Sequence, residues 1–247
     1  MASIYDKWKN ICNHIVDNKL TDWKRNPDVT TILEHLSYEN AKVYLRNLIE
    51  DGVNPQVIQK LCSLNDQFGN ANVQKFENDI LSSPSSIRYV RHALDICNLI
   101  KSKNFTKVNI IEIGGGYGGL CLILNQLSAI VGINIDKYFI YDLPETQKLQ
   151  RYYLSNTNCI TNVRWKPASN FGQNFITNDG EINILVSCYC LSEIEDKFKL
   201  EYLQHLLSKV SGAYLAWNWG YKTGLPENRI ETVEYPDTGN GNTIILW

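Results

Sequence analysis

The sequence predicts an α/β fold: strand–helix units of a mostly parallel sheet, closed by a C-terminal antiparallel hairpin and preceded by a helical region. Three observations carry this. Val108–Ile113 is an apolar, β-branched run that ends in a burst of glycines and then an apolar helix, Gly119–Leu127. Ile182–Cys190 is apolar on both faces, as a central parallel strand should be. Glu231–Tyr235 and Thr243–Trp247 flank Pro-Asp-Thr-Gly-Asn-Gly-Asn, a hairpin signal. The chain has 247 residues, enough for one large α/β domain and a small accessory region.

Bulk composition excludes several classes. The chain is 44% hydrophobic and 20% charged, with a net charge of -2. That balance gives no basic surface for nucleic acid. No apolar run is long enough to cross a bilayer, and Met1–Lys7 is too polar for a secretory signal. The seven cysteines are odd in number and scattered, without Cys-x-x-Cys. They read as reduced thiols of a cytoplasmic protein.

The region up to about Ser83 reads as helical. Ile4, Trp8, Ile11 and Ile15 fall at helical spacing. Ser37 caps a helix from Tyr38 to Glu50, stopped at Gly52. Asn54-Pro55 opens another over Gln56–Leu64. Asn65–Asn70 reads as a loop. A boundary near Pro84 divides residues 1–84 from 85–247. His14 and His35 read as surface or packed histidines. Ser85 or Ser86 caps a helix whose buried face is Ile87, Val90, Leu94 and Cys97. Arg88, Tyr89, Arg91 and His92 then lie off that face, as a solvated surface or as an acceptor site.

The glycine turn admits two chemistries. Gly114-x-Gly116-x-x-Gly119 fits a dinucleotide fingerprint. Glu112-x-Gly114-x-Gly116-x-Gly118 fits the first motif of S-adenosylmethionine-dependent methyltransferases. A plain tight turn is the third possibility. Glu112 tilts the choice: a carboxylate repels a pyrophosphate but accepts hydrogen bonds from an ammonium. Tyr138–Asp142 is a second strand ending in an acid, and Pro144 starts the next helix. Asp142 there can accept both hydroxyls of a ribose, or serve as a helix cap. Asn162–Pro167 is the third strand, with Ser169 just beyond it where an adenine edge can be read. The fourth strand, Ile182–Cys190, leads to Glu193 at the edge where ligands bind in open α/β sheets. A helix over Phe198–Leu207 carries His205, read as packed or exposed. Gly212–Gly220 is the fifth strand and its exit.

Ile111–Gly118, Tyr141–Thr146 and Ser192–Ile194, with Ser83–Tyr89 upstream, resemble the sugar O-methyltransferases. The likeness runs from about Asn65 to Trp247. It implies a class I, Rossmann-like methyltransferase fold with a seven-stranded sheet and helices on both faces. It implies S-adenosylmethionine as cofactor and S-adenosylhomocysteine as product. It places Glu112, Gly114, Gly116, Tyr117 and Gly118 around the methionine half, Asp142 on the ribose and Leu143 near the adenine.

Transfer to a hydroxyl calls for a general base at the carboxyl edge of the sheet. Glu193 is the first candidate and His92 the second. Ser187 and Tyr189 are placed to orient groups there. Arg88 and Arg91, with Tyr89, suit a diphosphate-linked sugar, and Trp217 or Trp219 can stack on a sugar ring. Strand four ends without an Asp pair, so no metal is expected. The expected partner is a small sugar or nucleotide-sugar acceptor, with the N-terminal helices as lid, acceptor-binding element or homodimer interface. Transfer to another hydroxyl or an amine, a nicotinamide-dependent oxidoreductase, and a non-catalytic binding module stay open.

Overall fold

In the computed structural model, residues 4–157 and 162–247 are described; Met1–Ser3 and the side chain of Ile4 lie outside them. The chain folds into two compact units. One unit carries the whole seven-stranded sheet. It comprises Asp95–Gly115, Ser128–Asp142 and Asn162–Trp247. The other joins the N-terminal helices, up to Leu94, with Gly116–Leu127 and the segment from Leu143 that holds a later helix.

The sheet strands are β1 Lys107–Ile113, β2 Asn134–Asp142, β3 Val163–Pro167, β4 Asn183–Cys188, β5 Gly212–Trp217, β6 Ile230–Val233 and β7 Thr243–Leu246. They lie in the order β3-β2-β1-β4-β5-β7-β6. β1 to β5 run parallel, and β7 is antiparallel to both β5 and β6. This is the mostly parallel seven-stranded sheet, closed by an antiparallel hairpin, that the sequence predicts. The chain moves outward from β1 through β2 to β3, then returns to the other side of β1 as β4. That reversal makes a topological switch point between β1 and β4, and ligands of open α/β sheets bind at the carboxyl ends there.

One face of the sheet is sealed by a short helix and a longer one, Cys190–Glu193 and Asp196–Leu206. Tyr202, Leu203 and Leu206 of the longer helix pack with Ile111, Ile113, Leu185, Ala213, Leu215 and Ile245. Each such fully buried aliphatic side chain is worth about 1.5–3 kcal/mol. At the amino edge, the buried Asn109 donates from Nδ2 to Asn183 Oδ1 at 2.9 Å, which ties β1 to β4 through two side-chain amides.

Some strand ends depart from the sequence expectation for identifiable reasons. The fourth strand stops at Cys188 because Tyr189 turns left-handed, with φ +69°, and opens the short helix. The fifth runs Gly212–Trp217, with residues 218–220 as its exit, as the sequence predicts. The second begins earlier, at Asn134, whose amide donates to Thr106 O at 2.8 Å.

The other unit holds α1 Ile4–Asp17, α2 Pro27–Ile32, α3 Tyr38–Glu50, α4 Pro55–Asp66 and the first part of α5 Pro84–Ser102. Then come α6 Gly119–Ile130 and α7 Pro144–Asn156. Ser37 Oγ accepts from Asn40 N at 3.1 Å, and Asn54 Oδ1 from Gln56 N at 2.8 Å, as their sequence positions predict. Two expectations are corrected. α4 continues through Asn65 and Asp66, because Asn65 is buried and its amide bridges Ser86 Oγ, Tyr117 OH and Tyr153 OH. The cap of α5 is Ser83, not Ser85 or Ser86. Its Oγ accepts from Ser86 N, and Asp66 in turn accepts from both serine hydroxyls.

No helix among the described residues is long and apolar enough to cross a membrane. Leu185 is fully buried at the centre of the sheet. Leu185→Ala should lower the unfolding free energy in urea by about 2–5 kcal/mol.

Candidate functional site

The carboxyl edge at the β1–β4 switch point is built from backbone outward. Gly114 N donates to Tyr141 O at 3.0 Å, which carries the β1–β2 pairing one residue past the strand. Gly114 adopts φ +76°, and a Cβ there would lie 2.2 Å from Cys190 Cβ. No other residue fits: the next strand's exit occupies the space a side chain would need. Gly115 N then donates to Asp142 Oδ2 at 2.9 Å. The glycine turn and the end of β2 are thus tied by a charge-assisted bond, stronger than a neutral one.

Glu112 is buried, and its Oε2 accepts from Tyr138 OH at 3.0 Å. Burial raises its pKa to about 8, the tyrosine bond opposes the rise, and the negative Asp142 adds to it. The expected carboxylate is therefore largely a neutral acid at pH 7 in the protein alone. An arriving ammonium would favour its ionised form. Burial and the same acids, Asp142, Glu193 and Glu112, push the Cys190 thiol far up, so it is not a nucleophile at neutral pH.

Beyond β4, each side chain has a defined task. Ser187 Oγ donates to Ile113 O at 2.9 Å and accepts from Leu191 N at 3.0 Å. It is buried and pins β1 to the following helix. Tyr189 OH donates to Glu234 Oε1 at 2.5 Å. Glu234 is buried and also accepts from Thr238 Oγ1 and Asn242 Nδ2. Glu193 closes the short helix and accepts from Asn218 Nδ2 at 2.5 Å. Asn218 Oδ1 accepts from Ser192 Oγ and from Trp219 N, which fixes the amide's orientation. Partial burial raises the Glu193 pKa, with the Asn218 bond opposing it. Trp219 is 61% exposed, whereas Trp217 is a core residue. Ser169 is exposed in the turn Ala168–Asn170 that leaves β3.

The remaining candidates belong to the helical unit. Gly116 and Gly118 take φ +52° and +100°. Gly116 O accepts from Gln150 Nε2 at 3.0 Å. Tyr117 is fully buried, with its hydroxyl donating to Glu34 Oε1 at 2.7 Å. Leu143 caps α7, its carbonyl accepting from Gln147 N. Arg88 and His92 are buried, which overturns the expectation that they lie off the packed face of α5. Arg88 Nη2 donates to Leu33 O at 3.4 Å, and Arg91 pairs with Asp51 at 2.5 Å. Tyr89 stands edge-on to Tyr117.

Sequence patterns missed Asn218 and Glu234, because their importance comes from partners 25 and 45 residues away in the chain. The one sequence signal for either was position, just past the end of a strand at the carboxyl edge. Among the described residues, no group of three or more His, Cys, Asp or Glu side chains is arranged to hold a metal ion.

The raised Glu112 pKa has a definite linkage. The folded state holds this proton up to about pH 8, while an unfolded glutamate releases it near pH 4.5. Its contribution to stability is present below the unfolded value and is lost as pH rises towards 8. Glu112→Gln should therefore gain in melting temperature over the native protein between pH 5 and pH 8.5. Parallel pH profiles of the two proteins would contradict the assignment.

No protein-family model matches the chain, and no curated protein matches it. Solved structures do. TrmK of M. capricolum, in complex with S-adenosylhomocysteine, is 13% identical with a TM-score of 0.43, covering 62% of this chain and 65% of that one. A S-adenosylmethionine-dependent methyltransferase from Clostridium acetobutylicum is 11% identical with a TM-score of 0.38, covering 76% and 61%. An amino pentose methyltransferase from Micromonospora echinaspora is 11% identical with a TM-score of 0.38, covering 64% and 61%. The chain spans less than two thirds of the length of each of these three.

Proposed function

We propose that this chain transfers a methyl group from S-adenosylmethionine to a hydroxyl of a small sugar-like acceptor. The observation that carries the cofactor reading is the bond from Gly115 N–H to Asp142 at the β1–β4 switch point. It sets a carboxylate at the end of β2, beside a glycine turn that excludes side chains. The donor set suits a cationic nucleoside. Asp142 would hold the ribose hydroxyls, and Glu112 would face the amino-acid end. Asp142 and Glu193, with Glu112 ionising as an ammonium arrives, favour a cation over a pyrophosphate at this edge, which disfavours a nicotinamide dinucleotide. Gly116, Gly118 and Leu143 stay in the assignment by their places in the motifs.

When bound, S-adenosylmethionine supplies a methyl already activated by a positive sulfur. The protein's task is then alignment and proton removal. Holding two reactants in attack geometry is worth roughly 7–11 kcal/mol. Glu193 is the proposed base. Its raised pKa makes it a better proton acceptor than an ordinary carboxylate, and Asn218 fixes the direction of one oxygen. Glu193 would take the proton of the acceptor hydroxyl as that oxygen bonds to the methyl carbon and the carbon–sulfur bond breaks, with S-adenosylhomocysteine as the leaving group. Trp219 follows Asn218 in the chain and offers an exposed aromatic face, a combination suited to a sugar ring. His92 is buried and Arg91 is paired with Asp51. Glu193 is therefore preferred as base, and a free sugar over a diphosphate-linked one.

Calorimetric titration with S-adenosylhomocysteine should show binding, and titration with NADH none; the reverse would overturn the cofactor. Asp142→Ala should weaken that binding by about 1.5–3 kcal/mol, the worth of a hydrogen bond to a charged group. A mass-spectrometric screen of sugars and nucleotide sugars for one added methyl identifies the acceptor. With it, Glu193→Gln should lower turnover by about 100-fold or more while cofactor affinity holds. Unchanged turnover would remove Glu193 as the base.

A further inference from the structure

The helical unit contains a buried charged cluster that the proposed reaction does not use. Lys24 is buried, donates from Nζ to Asn65 O at 2.6 Å, and lies 4.6 Å from the Tyr117 ring centroid and 4.9 Å from that of Tyr153. Trp23 stands edge-on to Tyr117 at 5.1 Å between centroids, and Tyr153 does so at 4.9 Å. Glu34 accepts from Tyr117 OH at 2.7 Å, and Asn65 Nδ2 donates to the same hydroxyl at 3.1 Å. The residue before Glu34 completes the arrangement. Leu33 Cδ2 occupies the space beside Gly116, 3.3 Å from where a Cβ would be. Leu33 is itself held from α5, its carbonyl accepting from Ser85 Oγ and Arg88 Nη2.

Two consecutive residues thus grip two consecutive residues of the glycine turn. We infer that Leu33 and Glu34 clamp Gly116 and Tyr117, and that this grip is what presents the turn to the cofactor. Leu33 and Glu34 are positioning residues in this scheme, and Lys24 is the buried counter-charge that keeps Glu34 in place. Burial raises the Glu34 pKa and lowers that of Lys24, and each charge opposes the other's shift. Burying such groups is costly unless hydrogen bonds and opposite charge compensate; Glu34 has the Tyr117 hydroxyl, Lys24 has the Asn65 carbonyl, and each feels the other's charge. Tyr117, which the resemblance places around the methionine half of the cofactor, has its side chain in the cluster, so in this scheme the turn's backbone is the part that would contact the cofactor.

The scheme rests on the cofactor reading above, and two readouts separate them. The first is amide hydrogen exchange of the protein alone, followed by mass spectrometry. Glu34→Ala and Tyr117→Phe should speed exchange in peptides covering Gly116–Leu120, with β4 and β5 peptides unchanged. Tyr117→Phe keeps the ring packing, so it serves if Glu34→Ala folds poorly. The second is titration with S-adenosylhomocysteine. Both variants should bind about tenfold more weakly, as loss of one hydrogen bond to a charged group implies. Glu34→Gln, which still accepts from the tyrosine but loses the attraction of Lys24, should recover part of both readouts relative to Glu34→Ala. A merely structural role would lower the melting temperature without this rescue pattern. Unchanged exchange in both variants overturns the clamp, and so does faster exchange with unchanged affinity. A native protein that binds no S-adenosylhomocysteine overturns the function proposed above, and the cofactor role of the clamp with it.

Discussion

The bond from Gly115 N to Asp142 Oδ2 is the constraint on which the edge of the sheet depends. It is made possible by register. Ile113 pairs with Tyr141, so β1 and β2 finish at the same level, and the next residue of each strand can turn towards the other. It is made necessary by crowding. Gly114 is pressed against Cys190, so the turn cannot relax sideways into the space between β1 and β4. Ser187 holds the same two strands from below through Ile113 O. Backbone geometry, not side-chain choice, therefore fixes where an amide and a carboxylate meet.

Electrostatics then decide what such an edge can accept. Glu112 is enclosed and lies close enough to Asp142 for the two charges to oppose each other. Asp142, Glu193 and Glu112 all bear on the Cys190 thiol as well, which places them in one neighbourhood. Asp142 holds the Gly115 amide within that neighbourhood, and Glu193 the Asn218 amide. The cofactor proposed above, a nucleoside bearing an ammonium and a sulfonium, suits such a neighbourhood better than a phosphate-bearing one.

Much of this was legible in the sequence. The glycine run, the acid before it and the acid at the end of the second strand were visible as spacing, because strand, turn and helix impose short-range patterns. The strand count and the closing hairpin followed from apolar runs and a turn. What was not legible depends on distance along the chain. Tyr189 finds Glu234, Glu193 finds Asn218 and Tyr117 finds Glu34, all through tertiary packing. Helical spacing also misjudged α5: Arg88 and His92 are buried because the helix is covered on more than one side, which a single apolar stripe does not reveal. Ser83 was passed over as a cap because its role rests on Asp66, a residue the sequence assigned to a loop.

A crystal structure determined with S-adenosylhomocysteine bound tests the central claim most directly. The account predicts the ribose hydroxyls within hydrogen-bond distance of Asp142, with the Gly115–Asp142 bond retained and Glu112 nearest the ligand's amino group. A ligand bound elsewhere, or bound here with Asp142 turned away from the ribose, would contradict it.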